Sequence, residues 1–183
     1  RLTAEELRDS ILAMTGQLRL ELGGPSVFPP IPAEVLATAS KPEEAWGTST
    51  PEQAARRSLY VHVKRSLQEP LLAVFDRADT DASCPVRFAT VQPTQALTML
   101  NGDFAQQQAL AFAQRLSAAA PDPTARLALG LALVTQRPAR SADLERLERL
   151  AADLQREFGR TELEALQRCC LVLLNANEFL FLD

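Results

Sequence analysis

The chain has 183 residues, of which 46% are hydrophobic and 23% are charged. These values predict one soluble globular domain with a buried core, and no run of about eighteen apolar residues is present that would cross a bilayer. The net charge of −4 argues against a general nucleic-acid binder, because such a protein needs a basic face to displace counterions from phosphates.

The first predicted element is a helix over residues 4–15. Thr3 and Glu6 have the spacing of a capping box, and apolar residues then recur at helical intervals as far as Leu18. Gly16 fits the end of this helix.

A proline-rich region over residues 23–55 follows. Seven of the twelve prolines lie between Pro25 and Pro70. Proline lacks a backbone donor and clashes with the preceding helical turn, so this region cannot form a continuous helix and is predicted to be irregular.

Residues 58–91 are predicted to form a strand, an acidic loop and a second strand. The stretch SLYVHVK alternates, with Leu59, Val61 and Val63 on one face, and VRFATV at residues 86–91 has similar strand character. A lone strand leaves its backbone groups unpaired, so we expect these two segments to pair as a short antiparallel sheet.

Residues 93–175 are predicted to be helical, because helix-start signals recur along them. The signals are Pro93, Asp103 as a cap, Asp122 with Pro123, Ser141 opening a leucine stripe that ends at Gly159, and the capping box of Thr161 and Glu164. The predicted fold is therefore mainly α: a single domain over residues 1–183, with about five to six helices, the proline-rich loop region and room for one two-stranded antiparallel sheet.

The acidic loop is the first candidate for chemistry. Asp76, Asp79 and Asp81 offer oxygens at close spacing, as a calcium site requires. A full calcium loop also has a glycine at the turn and a distal bidentate glutamate, and both are missing here. We therefore favour a structural interpretation, in which these carboxylates cap turns and pair with nearby basic residues. The basic candidates are Arg56, Arg57, Lys64, Arg65 and Arg87.

A catalytic site is not indicated elsewhere in the sequence. His62 is the only histidine, so any Ser-His-Asp or Cys-His chemistry depends on it, yet its neighbours are Val61 and Val63. The sequence has no nucleophile elbow, phosphate-binding glycine loop, HExxH, CxxC or CxxCH motif. The absence of CxxCH excludes covalent haem attachment within this chain.

The three cysteines leave two alternatives open. Cys169 and Cys170 are adjacent on a predicted helix and point to different sides, so at most one of them can meet Cys84. Buried free thiols are the favoured interpretation. A Cys84–Cys170 disulfide is the alternative, and it requires an oxidising compartment.

A series of segments gives the chain a family resemblance. In order they are AEELRDSILAMTGQL, GGPSVFPPIP, RRSLYVHVKRS with PLLAVFD, SCPVR, VQPTQALTMLN and CLVLLNANEFLFLD. Together they resemble the C-terminal domain of unknown function, a PSD-type domain, of planctomycete-type cytochrome c proteins. The chain resembles the C-terminal portion of that domain, so we expect it to be an excised part of a larger protein.

The resemblance singles out residues without assigning them an activity. Those that match the family's motifs are Arg57, Tyr60, Lys64, Arg65, Phe75, Asp76, Cys84, Arg87, Asn101, Cys170, Asn175, Asn177, Glu178 and Phe179. His62 departs from the pattern, since family sequences often have an aromatic or aliphatic residue there, and this weakens any catalytic role for it.

The resemblance implies a location and a class of partner. It implies an extracytoplasmic protein of the periplasm or cell envelope, with haem c only in upstream domains and no cofactor in this chain. We expect a non-catalytic module that docks on those upstream domains or on another envelope protein. The alternative is an extracellular carbohydrate-active hydrolase or lyase that uses the loop from Asp76 to Arg87, with carboxylates held about 5–10 Å apart.

Overall fold

The computed structural model describes residues 1–78 and 85–182, and in these residues the protein is mainly helical, as predicted. The helices are α1 (Ala4–Thr15), α2 (Ala33–Leu36), α3 (Pro42–Ala45), α4 (Pro51–Ala54), α5 (Pro70–Val74), α6 (Pro93–Asn101), α7 (Asp103–Ala119), α8 (Pro123–Thr135), α9 (Ser141–Phe158), α10 (Glu162–Leu174) and α11 (Asn177–Leu180). One 3-10 turn, Ser58–Tyr60, lies between α4 and α5.

The helix boundaries follow the capping signals closely. The side chain of Asp122 accepts a hydrogen bond from the Ala125 N–H at 2.8 Å, and Thr161 forms the reciprocal capping box with Glu164. The prediction for Asp103 is wrong by one position: Gly102 is the N-cap of α7, and Asp103 is its first helical residue. Glycine is needed there because a Cβ on Gly102 would lie 2.6 Å from the Thr98 carbonyl oxygen.

The chain folds into two compact units, and the prediction of a single domain stays a prediction. Unit 1 contains residues 1–13 and 17–95, and unit 2 contains residues 14–16 and 96–182. The first unit includes most of α1 and the short helices α2 to α5. The second includes most of α6 and all of α7 to α11.

The predicted two-stranded sheet is wrong. Residues 58–60 form a 3-10 turn, Val61 makes an isolated parallel bridge with Val27, and residues 86–90 have no strand pairing within the described chain. The turn breaks the expected alternation: Val61 is buried, whereas Leu59 and Val63 are 74% and 49% exposed. The alternating letters therefore do not correspond to two faces of a strand.

The proline-rich region has a small core of its own within unit 1. Ile31, Ala45 and Leu67 are buried together, with partly buried side chains around them. The Trp46 indole N–H donates to the Pro29 carbonyl oxygen at 2.8 Å. This region is irregular, as predicted, but it is held by its own contacts.

Unit 2 is a helical bundle in which α10 packs on α7, α8 and α9. Four side chains of these helices are fully buried: Phe112 and Leu116 of α7 and Cys170 and Leu174 of α10. Gly130 of α8 lies where a Cβ would be only 3.1 Å from side-chain methyl groups of Leu116 and Leu173. A small residue at this point lets the helices approach closely.

None of the helices in the described chain is long and apolar enough to cross a membrane.

The packing of unit 2 predicts unequal effects for two phenylalanine truncations. Phe112 is fully buried in α7, so Phe112→Ala removes a large apolar contact and leaves a cavity, at an expected cost of about 3–5 kcal/mol in the free energy of unfolding. Phe158 is 67% exposed at the end of α9, so Phe158→Ala is the matched control and should cost less than about 0.5 kcal/mol. Urea unfolding measures both, and equal losses would contradict the assigned packing.

Candidate functional site

The side chain of Arg8 is buried inside unit 1, on helix α1, with 1% of the residue exposed. It donates hydrogen bonds to the carbonyl oxygens of Ala54 and Arg56, the latter at 3.0 Å, and to the Ser58 hydroxyl at 3.2 Å. Burial lowers the pKa of Arg8, and the carboxylates of Glu69 and Asp9 oppose this shift. Arg8 therefore attaches residues 54–58 to α1.

Glu69 is a second buried charge near Arg8. Its carboxylate caps α5 by accepting a hydrogen bond from the Leu72 N–H at 2.8 Å. Burial raises the pKa of Glu69, while the Leu72 N–H and the Arg8 guanidinium act against the increase. The sequence reasoning missed both residues, although Pro70, directly after Glu69, is a readable signal for the first position of a helix.

Asp76 binds the segment around Thr90. Its carboxylate accepts hydrogen bonds from the Arg1 guanidinium, from the Thr90 N–H and from the Thr90 hydroxyl, each at 2.8 Å. Gln95 donates a longer bond of 3.4 Å. Burial raises the pKa of Asp76, but the bonds from Thr90 and Arg1 outweigh it and leave the pKa below its ordinary value.

Glu5 forms the next ion pair along α1. The Arg87 guanidinium donates to both of its carboxylate oxygens, at 2.7 and 3.1 Å, and Arg77 lies 3.9 Å away. Burial raises the pKa of Glu5, but the hydrogen bond from Arg87 and the charges of both arginines leave it below its ordinary value.

Asp9 is held one helical turn after Glu5. It accepts a hydrogen bond from the Ser58 N–H at 2.7 Å and a weaker one from Nε of Arg57 at 3.4 Å. The ion pairs of Asp76, Glu5 and Asp9 therefore connect three loop segments to the first residues of the chain.

Tyr60 and Lys64, in contrast, contact backbone groups. The Gly23 N–H donates to the Tyr60 hydroxyl at 2.9 Å, and the Arg56 guanidinium lies 3.9 Å from the centre of the Tyr60 ring. The Lys64 ammonium donates to the Ala45 carbonyl oxygen at 2.6 Å. These residues stabilise the proline-rich region, and Arg65 is exposed beside them.

His62 lies in an aromatic cluster with Phe28 and Trp46. Its ring centre is 4.8 Å from that of Phe28 and 5.8 Å from that of Trp46. Ring contacts with Phe28 and Trp46 account for a histidine at this position, so its presence does not by itself indicate catalysis.

Asn175 and Glu178, near the end of the chain, have structural contacts within unit 2. The Asn175 amide donates to the carbonyl oxygens of Leu171 and Met99 at 2.8 and 3.2 Å, which closes the end of α10. Glu178 pairs with Arg137 at 3.5 Å, and Asn177 begins α11.

Neither the calcium site nor the disulfide is seen in the described residues. Asp79, Asp81 and Cys84 lie outside them, and the described residues contain no group of three or more metal-ligating side chains that could hold an ion. Cys169 and Cys170 are buried, and neither forms a disulfide with another described residue. Burial raises the pKa of Cys169 to about 11 and raises that of Cys170 further. The Cys84–Cys170 bridge stays a prediction.

A groove of about 930 Å³ lies on unit 1 between α1 and residues 57–63. It is lined by aliphatic side chains and by six charged residues: Glu5, Glu6, Asp9, Arg57, Arg77 and Arg87. The carboxylates of Glu5 and Asp9 already accept the hydrogen bonds described above. The groove is therefore a concave surface in which the carboxylates of Glu5 and Asp9 stabilise the fold of unit 1.

Comparison with known proteins gives one match. The model of PSD1, described as "Protein of unknown function (DUF1553)", matches residues 1–151. No curated protein and no solved structure matches the chain. The terminal residues Asn175, Asn177 and Glu178 lie beyond the matched range.

The contacts of Asp76 predict a pH-dependent loss of stability. Because its folded pKa is lowered, Asp76 stabilises the fold above its unfolded pKa of about 3.9, and this contribution disappears as the pH falls through the folded pKa. Asp76→Asn should therefore cost about 1–2 kcal/mol at pH 7 and much less at pH 2. The backbone φ of +61° does not complicate this test, because asparagine also tolerates that region.

The exposed Glu34→Gln on α2 is the matched control, and it should leave stability unchanged at both pH values. Thermal unfolding measured from pH 2 to 7 gives the comparison. A constant difference between wild type and Asp76→Asn over that range would show that the carboxylate charge makes no contribution.

Proposed function

Because the chain belongs to the PSD1 family of proteins of unknown function, whose model matches residues 1–151, we propose that it is a non-catalytic interaction module. It docks on other domains of a longer parent protein, or on a separate envelope protein. The parent is an exported protein that also contains a cytochrome c-like domain, and the haem belongs to that domain. This setting is carried over from the resemblance of the sequence motifs.

The proposal rests on one observation: the carboxylates that line the groove already accept hydrogen bonds from neighbouring groups of the chain. A general acid or base needs a face that is open to the substrate. Glu5 is held by the bidentate bonds of Arg87, and Asp9 is held by the Ser58 N–H and by Arg57. Glu6 turns back to accept hydrogen bonds from the Thr3 N–H and hydroxyl, which caps α1. These bonds commit the carboxylates to local structure.

The hydrolase or lyase hypothesis requires two free carboxylates facing a sugar. Asp76 is the only acid of the Asp76 to Arg87 loop among the described residues, and its oxygens accept bonds from Arg1, Thr90 and Gln95. Such a residue would have to give up these bonds in order to take part in proton transfer. The bonding of Asp76 therefore favours an interaction module over an enzyme.

Cross-linking of the parent protein tests the docking role. The chain has lysines only at positions 41 and 64, so a carboxylate-selective cross-linker is the suitable reagent. We expect mass spectrometry to find linked peptides that join this chain to another domain or to an envelope partner.

A polysaccharide hydrolysis screen on the purified chain is the second part of the test, with Glu5→Gln and Asp9→Asn as variants. We expect no turnover by any of the three proteins. Turnover by the wild-type chain that either variant abolishes, together with no cross-link to another domain, would contradict the proposal.

A further inference from the structure

The groove on unit 1 has an uneven distribution of exposed charge. The side chains of the partly buried acids Glu5 and Asp9 are 24% and 17% exposed. The side chain of Arg57 is 51% exposed, and that of Arg87 is 41% exposed. The formal charges of the six ionisable residues that line the groove cancel. Glu6 is also exposed, but its carboxylate accepts hydrogen bonds from the Thr3 N–H and hydroxyl, and the Arg77 side chain is only 10% exposed. The most exposed of the groove's arginines is therefore Arg57.

The contacts of Arg57 leave part of its guanidinium available beside Asp9. Two guanidiniums share this one carboxylate: Arg57 lies 3.4 Å from it, and Arg8 lies 3.9 Å from it at the buried side. Arg57 contacts Asp9 through Nε, and its terminal nitrogens have no hydrogen-bond partner among the residues that the structure describes. An incoming carboxylate can therefore bond to Arg57 without displacing Asp9.

Aliphatic surface lies directly beside Arg57. Leu59 and Val63 line the groove and are 74% and 49% exposed, and Leu18 adds a partly exposed side chain. No aromatic side chain lines the groove in the described part of unit 1. Sugar rings bind well when their C–H faces stack on aromatic rings, so these walls suit aliphatic side chains better than a polysaccharide.

We propose that this groove binds an acidic, aliphatic peptide segment of the docking partner. The inference rests on the proposed function and adds the site and the chemistry of the partner. A partner Asp or Glu pairs with the terminal nitrogens of Arg57, and a neighbouring Leu, Ile or Val covers Leu59 and Val63. Because the charged part of the contact is partly exposed, affinity falls as ionic strength increases.

Selection from a random peptide display library against the purified chain tests the site. We expect the enriched peptides to place Asp or Glu within a few residues of Leu, Ile or Val. Fluorescence anisotropy of the two most enriched peptides then measures Kd for wild type and for Arg57→Glu, Arg57→Gln and Leu59→Asp. The expected result is a Kd about tenfold higher or more for Arg57→Glu and Leu59→Asp, with a smaller increase for Arg57→Gln.

Two matched variants control for charge and for apolar surface away from the groove. Arg149→Glu makes the same charge change on the exposed face of α9, and Leu22→Asp changes a leucine that is 87% exposed outside the groove. Both should keep the wild-type Kd, and circular dichroism verifies that every variant is folded.

Three outcomes would overturn the inference: enrichment of peptides without acidic residues, binding that is unaffected by Arg57→Glu and Leu59→Asp, or binding of polygalacturonate but of no peptide. The same variants separate this inference from the docking role. If the cross-links of the parent protein persist in Arg57→Glu, the module docks, but it does so through another surface.

Discussion

The hydrogen bonds of the buried Arg8 side chain are the interaction on which the architecture of unit 1 depends. A guanidinium away from water needs hydrogen-bond acceptors, and here its terminal nitrogens bond to the Ala54 and Arg56 carbonyl oxygens and the Ser58 hydroxyl. This requirement fixes residues 54–58 against α1. It also sets where the neighbouring residues point, so that Arg56 lies over Tyr60, while Arg57 and Leu59 reach the groove.

Other ion pairs of unit 1 also fix irregular segments to the first residues of the chain. Their partners lie further apart in the sequence than Arg8 and its acceptors. Arg1 and Thr90 meet at Asp76, and Glu5 meets Arg87. Arg1 and Asp76 are 75 positions apart in the sequence, and Glu5 and Arg87 are 82 positions apart. Irregular segments have few backbone bonds of their own, so these side chains supply the contacts that regular structure supplies elsewhere. The Arg1–Asp76 pair is the more buried of the two, with side chains 6% and 22% exposed, and its bonds give Asp76 a structural role.

The helices could be read from the sequence because their signals are local. The capping boxes of Thr3 and Thr161, and the pair of Asp122 with Pro123, each act within four residues of the helix they start. The stretch SLYVHVK has equally local strand character, yet its first three residues form a 3-10 turn. Contacts from Asp9 and Arg8 bind Ser58, and these partners lie about fifty positions away.

The site was foreseeable only in part, for the same reason. The sequence indicated that Asp76 and Arg87 belong to a charge cluster, but it could not indicate that Arg1 and Glu5 are their partners. Arg8 itself reads as an ordinary polar position on an amphipathic helix. Its burial becomes evident only when the loop that carries its acceptors is in place, and the groove beside it exists only in that arrangement.

Hydrogen exchange of Arg8→Met tests most directly whether the buried arginine organises unit 1. The amides of Val61 and His62 bond to the Ser58 and Val27 carbonyl oxygens, so they report on the segment that Arg8 fixes. Loss of the Arg8 donors should speed their exchange by about tenfold or more, whereas amides of α7 and α10 should exchange at wild-type rates. Arg57→Met is the control and should leave Val61 and His62 protected. Unchanged protection of Val61 and His62 in Arg8→Met would contradict the central role of Arg8.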